Sequence, residues 1–208
     1  MSKLTLWLIR HGETFVNIRQ WTDKPNNSDL TPLGIQQACT VAKEIKRAPD
    51  LIIRSPLQRV LRTAEPIIKL WPQTPVEIWP IEEFAYLSPI KLKNMDSAER
   101  KKRIEWYWQE ANPLFCDGEQ VEAFAHFIER VQSFYEKLSL RTGFIVVIGH
   151  GVFFRAFQFG LEHGWEVTPQ WMQQFRQFET SNPLKNCEII KFDLQSKGHE
   201  SSLNSGIE

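Results

Sequence analysis

The feature that most limits the fold of this chain is its alternation of short apolar runs with segments of helical periodicity. The apolar runs are predicted to form strands of a central sheet. They lie at Leu4–Arg10, Leu51–Arg54, Val76–Trp79, Phe144–Ile148 and Glu188–Leu194. Strands that alternate with helices are typical of the α/β class, so we expect a mainly parallel central sheet with helices on both faces.

Helix signals separate these strands. Thr31 and Pro32 predict a helix start, with threonine as the N-cap and proline at the first helical position. The segment Ser55–Gln58 predicts a second start, through a Ser/Gln capping box. A one-sided apolar stripe predicts a helix over residues 119–139, and another helix is expected after Gly149–Gly151.

Composition excludes several classes of protein. The chain has 25 Lys and Arg against 25 Asp and Glu, so no net field attracts nucleic acid or an anionic membrane. The longest clean apolar run after the first strand, Phe144–Ile148, is far too short to span a bilayer. The N-terminus lacks the pattern of a signal peptide, and three widely spaced cysteines fit a reducing compartment. We therefore expect a cytoplasmic protein.

A single domain is expected over residues 1–195, followed by a polar, flexible tail at residues 196–208. Residues 84–118 interrupt the alternation of strands and helices, and they combine aromatic side chains with the basic cluster Arg100–Arg103. An excursion of this kind often covers a site, which predicts a helical lid. The alternative is an ordinary helix with one solvated, charged face.

Two histidines stand where predicted core strands end. His11 follows the first strand and His150 follows the strand Phe144–Ile148, and a glycine comes directly after each histidine. In open α/β sheets, ligands bind at the carboxyl ends of the strands. A lone histidine at such a position is more often structural, but a pair at one edge indicates a functional site.

Two arginines accompany this pair. Arg10 precedes His11, and Arg59 lies in the first turn of the helix expected after Ser55. The planar guanidinium group matches phosphate oxygens, and a helix N-terminus adds partial positive charge. Taken alone, Arg59 could be an ordinary solvated residue. Together, these residues predict a site for a phosphate-like dianion.

Six short motifs follow one another through residues 4–194, nearly the whole chain. They are Leu8–Thr14, Leu30–Gly34, Ser55–Arg59 with Thr63 and Ala64, Ile81–Glu83, Gly118 and Glu119 with Arg130, and Gly149–Gly151. In this order they resemble the motifs of the histidine phosphatase superfamily, which includes the cofactor-dependent phosphoglycerate mutases. One departure is Gln120, which stands where the family has serine. The resemblance implies a phosphoglycerate mutase-like three-layer sandwich.

The resemblance also implies a reaction. His11 resembles the nucleophile that becomes a phosphohistidine, in a hydrolysis that needs neither metal nor cofactor. Glu83 resembles the general acid and base, because the family places this residue two positions after an aliphatic one. Its neighbour Glu82 is the alternative, since only one of two adjacent residues in an extended chain faces the site.

Phosphate-binding roles follow from the same resemblance. Arg10, Arg59 and His150 correspond to the pocket that holds the phosphoryl oxygens, with His150 also counted among the catalytic residues. Asn17, six residues after His11, resembles a secondary phosphate contact, and an ordinary turn residue is the alternative. The implied partner is a small phosphorylated substrate, whose identity stays open together with the oligomeric state.

Two departures concern the subclass. The mutases have arginine after the acid and asparagine after the second His-Gly, where this chain has Phe84 and Val152. A mutase must hold a second anionic group, and these replacements remove donors for it. Simple hydrolysis is therefore favoured over a mutase-type phosphotransferase. A catalytically weak phospholigand-binding scaffold on the same fold is the remaining alternative.

Overall fold

The computed structural model describes residues 3–18, 28–93 and 95–195, and a five-stranded sheet forms its centre. The strands are β1 (Lys3–Arg10), β2 (Leu51–Arg54), β3 (Val76–Ile78), β4 (Gly143–Gly149) and β5 (Ile189–Gln195). Their order is β3-β2-β4-β1-β5, and all neighbours are parallel except the antiparallel pair β1 and β5. The predicted α/β class with a mainly parallel sheet is confirmed. The predicted polar tail lies outside the described residues.

Helices cover both faces of the sheet. They are α1 (Pro32–Glu44), α2 (Gln58–Leu70), α3 (Pro89–Leu92), α4 (Ser97–Glu110), α5 (Phe124–Ser139), α6 (Gly151–His163) and α7 (Pro169–Ser181). Side chains alternate along each strand, so β4 sends Ile145 and Val147 to the core beneath α4–α7. The intervening Val146 and Ile148 pack with α1 and α2. The result is the three-layer arrangement predicted from the sequence.

The order of the strands places the residues that follow β1, β2 and β4 at one edge of the sheet. β1 and β4 are parallel neighbours, with Arg10 opposite Gly149, so the residues that follow them leave the sheet at the same level. The His11 backbone N–H donates to Gly149 O over 2.9 Å. β2 lies on the other side of β4, and Ser55 N donates to Ile148 O over 3.2 Å. Three chain segments therefore meet at one edge.

Helix starts agree only partly with the sequence signals. α1 begins as predicted, because the Thr31 side chain caps it by accepting from Gly34 N over 3.0 Å. The capping box at Ser55 is wrong: α2 begins at Gln58, and no side chain caps it. α5 begins at Phe124 rather than at residue 119, since Gln120 has a φ of 64°, which a helix does not accommodate.

The excursion over residues 84–118 contains α3 and α4, and its charged residues serve structure. The buried Asp117 accepts hydrogen bonds from Ser88 N and Lys91 Nζ, each over 3.0 Å, and from Arg103. The Arg100 Nε donates to Leu92 O over 3.1 Å. Two arginines of the basic cluster thus hold the excursion together. Its role as a lid stays a prediction.

Substitution of Asp117 by asparagine is expected to destabilise the fold by about 1–3 kcal/mol at pH 7, because the Lys91 and Arg103 cations lose their common counterion. Burial by itself raises the pKa of Asp117, but the hydrogen bonds from Ser88, Arg103 and Lys91 outweigh it and hold the pKa below 3.8. The stabilisation is therefore present above about pH 4 and disappears as the pH falls through the folded pKa.

Urea unfolding of the wild type and the asparagine variant at pH 7 and at pH 3 measures this effect. The exposed Asp193, which pairs with Lys3, supplies the matched control, and its replacement by asparagine is expected to leave the unfolding midpoint unchanged. A stability difference for Asp117→Asn that is equally large at both pH values would contradict this explanation.

Candidate active site

The structure brings the two predicted histidines face to edge. The ring centroids of His11 and His150 lie 5.3 Å apart, with an angle of 64° between the planes. Both side chains are buried, with 4% of His11 and 0% of His150 exposed. This proximity follows from the sheet order, because each histidine follows one of the two neighbouring parallel strands.

The tautomer of His11 is set by the backbone. His11 Nδ1 lies 2.8 Å from Gly12 O, and since a carbonyl oxygen only accepts, Nδ1 carries the hydrogen. Nε2 then keeps its lone pair. Burial lowers the pKa of His11 to about 3, and the charges of Arg59 and Arg10 act in the same direction. At neutral pH the imidazole is therefore uncharged and able to act as a nucleophile through Nε2.

The loop after His11 is held rigidly. Gly12 N donates to Thr63 Oγ1 over 3.0 Å, and this hydroxyl donates to Arg59 O over 2.7 Å. A Cβ at Gly12 would lie 2.6 Å from Gly34 O, so only glycine allows this approach to α1. The first helices on one face thus fix the carbonyl that orients His11.

His150 uses both of its ring nitrogens. Nδ1 lies 3.3 Å from Arg59 Nη2, and Nε2 lies 3.0 Å from Ser55 Oγ. Because a guanidinium group only donates, Nδ1 accepts and Nε2 donates its hydrogen to Ser55. Burial lowers the pKa of His150 well below its ordinary value, and the charge of Arg59 adds to the effect. His150 is therefore a neutral, fixed partner of Arg59.

Ser55 is a residue of the site that the sequence reasoning assigned to a helix cap. It is completely buried, and its hydroxyl accepts from His150 instead of capping α2. A signal for this role was available in the sequence, because Ser55 directly follows β2 just as the two histidines follow β1 and β4. The local Ser/Gln pattern instead led to the prediction of a helix cap.

Two guanidinium groups lie beside the imidazoles. Arg59, 7% exposed, projects from the first turn of α2, and Arg10 ends β1 and donates through Nη1 to Leu184 O. Among the described residues, the buried Arg10 Nε has no hydrogen-bond partner, and a Cβ at Gly151 would lie 3.3 Å from it. A buried donor of this kind is satisfied when an anion binds beside it.

Burial lowers the pKa of both guanidinium groups, while the nearby Glu83 charge raises it. Arginine nevertheless stays protonated at any relevant pH. The site thus combines two fixed cations, two neutral imidazoles and one carboxyl group. Such a set can bind a doubly negative group and can also exchange a proton with it.

The adjacent glutamates point in different directions. Glu83 accepts from Val152 N over 3.4 Å and from Phe153 N over 3.3 Å, at the N-terminus of α6. Burial raises its pKa, against the opposing charge of Arg59. Glu82 turns away instead, and its carboxylate lies 3.8 Å from Arg130. The structure therefore places Glu83, and not Glu82, beside the arginines of the site.

Asn17 forms part of a turn. Its Oδ1 accepts from Thr14 N over 3.1 Å and from Thr14 Oγ1 over 3.0 Å. It also accepts from Asn186 Nδ2 over 3.2 Å, and the same amide donates to His11 O over 3.0 Å. Asn186, which the sequence reasoning missed, thus links the turn to the histidine. A phosphate contact by Asn17 stays a prediction.

Within residues 3–18, 28–93 and 95–195, no group of three or more His, Cys, Asp or Glu side chains is arranged to hold a metal ion. Over the same part of the chain, no helix has the length and apolar character needed to cross a bilayer.

The chain is similar to known phosphatases in sequence and in fold. The sequence description of the histidine phosphatase superfamily (branch 1) matches residues 6–202. An adenosylcobalamin/α-ribazole phosphatase from Salmonella typhimurium is 28% identical over 155 residues, which are 72% of this chain and 75% of that protein. The crystal structure of a phosphoserine phosphatase from Entamoeba histolytica, solved with 3-phosphoglyceric acid, is 25% identical. It superposes with a TM-score of 0.66 over 91% of this chain and 90% of that chain.

Proposed function

Because this chain belongs to the histidine phosphatase superfamily, we propose that it hydrolyses phosphate monoesters through a phosphohistidine on His11, without a metal ion. The observation that carries the proposal is the state of His11: its Nδ1 is bonded to Gly12 O, so Nε2 offers a lone pair beside two arginines. Nearby relatives named as phosphatases support hydrolysis as the reaction.

In the first step, His11 Nε2 attacks phosphorus and the bond to the leaving oxygen breaks. The step needs Glu83 in its protonated form, which burial favours by raising its pKa, and Glu83 gives its proton to that oxygen. The His11 ring becomes positively charged as it is phosphorylated. The Gly12 carbonyl, which accepts from Nδ1, stabilises this charge.

In the second step, water attacks the phosphohistidine, and the Glu83 carboxylate takes one proton from it. The bond between phosphorus and Nε2 breaks, inorganic phosphate leaves, and His11 returns to its neutral tautomer. Glu83 is again protonated, so the cycle closes. Splitting the displacement in this way replaces one difficult step by two easier ones.

We assign binding of the phosphoryl group to Arg10 and Arg59, and a direct phosphate contact or catalytic role of His150 stays a prediction. His150 Nδ1 holds Arg59 and the Leu184 carbonyl holds Arg10, so both guanidinium groups are oriented before substrate arrives. Fixed cations of this kind stabilise the charge on the transferring phosphoryl oxygens, which is most of what phosphoryl transfer requires of a protein.

Hydrolysis is favoured over mutase chemistry by the surroundings of the acid. Phe84 is buried and its ring stacks on Phe127, with centroids 4.4 Å apart, so it offers no donor to a second anion. Val152 contributes only its backbone N–H, which donates to Glu83. We propose a small phosphorylated molecule as the substrate, held mainly through its phosphoryl group.

The proposed compartment is the cytoplasm. All three cysteines, Cys39, Cys116 and Cys187, are free thiols in the structure, and two of them are exposed. Exposed free thiols persist in a reducing environment, and the balanced charge of the chain gives it no general attraction to polyanions.

Turnover of an aryl phosphate in the presence of EDTA tests the proposal. We expect hydrolysis at an unchanged rate after chelation, because the nucleophile and the cations all come from side chains. Arg59→Gln is expected to lower kcat/KM by about 10²–10³, since it removes a fixed cation from the phosphoryl site.

Arg62→Gln is the matched control, because Arg62 lies on the same helix but is exposed and pairs with Glu65 and Asp29. Its kcat/KM is expected to stay within about a factor of two of the wild type. Binding of phosphate without any turnover would instead support the scaffold alternative.

A further inference from the structure

Glu83 lies in a segment that regular secondary structure does not fix. Residues 79–86 form neither helix nor strand. Two buried side chains, Ile81 and Phe84, anchor the segment in the core on either side of the glutamates. These anchors fix the position of the chain, but they leave the direction of the intervening carboxyl group to other contacts.

Arg130, on α5, contacts this segment directly. Its Nη1 donates to Pro80 O and to Glu82 O, each over 3.1 Å. Its Nε and Nη2 donate to the two carboxylate oxygens of Glu122 over 3.3 and 2.6 Å. The Arg130 guanidinium group thus binds two main-chain carbonyls just before Glu83. A bidentate ion pair with Glu122 holds the guanidinium group in place.

Glu122 completes the clamp on the other side. Its backbone N–H donates to Ala85 O over 2.9 Å, so the pair Arg130 and Glu122 contacts the chain both before and after Glu83. The guanidinium carbon lies 5.4 Å from the Phe153 ring centroid, and Phe153 N donates to Glu83 Oε1. Arg130 therefore packs on the same helical turn that receives the carboxyl group.

We infer that Arg130, held by Glu122, is a positioning residue that directs the Glu83 carboxyl group towards the leaving oxygen. The inference rests on the proposed function. This role needs the planar guanidinium group of arginine, because its four hydrogen bonds in two directions orient the segment that carries Glu83. The ammonium group of lysine cannot reproduce these four bonds. Misplacement of a catalytic group by about 1 Å can cost about 10² in rate.

The leaving group of the substrate separates positioning from mere stabilisation. Hydrolysis of an alkyl phosphate requires a general acid, because an alkoxide is a poor leaving group. Hydrolysis of p-nitrophenyl phosphate hardly requires one, because p-nitrophenolate leaves readily. Arg130→Lys is therefore expected to lower kcat/KM for an alkyl ester such as glycerol phosphate by about 30- to 100-fold. The same variant is expected to change kcat/KM for p-nitrophenyl phosphate by less than about threefold.

Glu83→Gln supplies a second readout. If Arg130 acts through Glu83, Arg130→Lys adds little to the loss on the alkyl ester once Glu83 is already glutamine. Arg141→Lys is the matched control, because Arg141 pairs with the partly exposed Glu77 over 3.3 Å. Glu122→Gln, which weakens the same clamp, is tested in parallel, and thermal unfolding reports whether each variant is folded.

Three outcomes would overturn the inference: equal losses on both esters, no loss on the alkyl ester, or full additivity with Glu83→Gln. In each of them the wild type still hydrolyses both esters, so the proposed function stands. A wild type that hydrolyses neither ester would instead remove the proposed function, and the inference with it.

Discussion

Replacement of His11 by alanine is expected to lower kcat for phosphate monoesters by about 10⁴ or more, the largest effect of any single substitution in this protein. The reason is that the other buried imidazole cannot take over. His150 accepts from Arg59 at Nδ1 and donates to Ser55 at Nε2, so the Nδ1 lone pair is already engaged and Nε2 carries a hydrogen. The binding cations, Arg10 and Arg59, remain in the variant.

Affinity for inorganic phosphate should therefore change by less than about tenfold in His11→Ala while turnover is lost, a separation that steady-state kinetics and calorimetry measure together. His11→Asn is a second variant that keeps a polar side chain at the site. His126→Ala is the control, because His126 is exposed on α5. Turnover above about 1% of the wild type in His11→Ala would show that another group attacks phosphorus.

The second large effect is expected at Glu83. Glu83→Gln should lower kcat/KM for an alkyl phosphate by about 10²–10⁴, because glutamine cannot donate the proton that the leaving oxygen needs. Glu82→Gln should stay within about a factor of three, since Glu82 faces Arg130 at the surface of the segment. The two variants make the same chemical change at adjacent positions, so each is a control for the other. The reverse ranking would show that the acid has been misassigned.

The pH dependence follows from the direction of the pKa shifts. Burial raises the pKa of Glu83, so it stays protonated to a higher pH than an ordinary glutamate, and kcat/KM for the alkyl ester falls on the alkaline side as the proton is lost. Glu83→Gln should remove this alkaline limb. The pKa of His11, lowered to about 3, keeps protonation of the nucleophile from limiting the rate near neutral pH.

Much of the site could be predicted because its residues follow strands directly. Ligands bind at the carboxyl ends of parallel strands, and Arg10, His11 and His150 lie at such ends. The apolar runs of β1 and β4 predicted where those strands end. The choice of Glu83 over Glu82 came from the family resemblance alone. In the structure, the amide groups of α6 contact the Glu83 carboxyl group, while that of Glu82 lies near Arg130.

Long-range contacts account for what was missed. The hydroxyl of Ser55 meets His150 across 95 residues, and a local Ser/Gln pattern says nothing about such a contact. Arg130 was part of a motif, but its partners are the Glu122 carboxylate and main-chain carbonyls of an irregular segment about 50 residues away. Hydrogen bonds to irregular backbone have no sequence periodicity. The same applies to Asn186, which contacts His11 O from the far end of the chain.

The basic cluster shows that charge alone does not predict what each cation contacts. Four consecutive cations suggested a helix with one solvated, charged face, and Lys101 and Lys102 are exposed, but Arg103 pairs with the buried Asp117, and Arg100 bonds a main-chain carbonyl. A carboxylate 14 residues further along the chain determines the role of Arg103, and composition does not reveal that pairing.

The phosphoenzyme itself provides the most direct test of the account. Rapid mixing of the wild type with a phosphate monoester, an alkaline quench and mapping of the labelled peptide should locate one phosphoryl group on Nε2 of His11, stable in alkali and lost in acid. Transfer to Nδ1 is disfavoured because that nitrogen donates to Gly12 O. A phosphoryl group found on Ser55 or another residue, or continued turnover with no covalent intermediate at all, would contradict nucleophilic attack by His11.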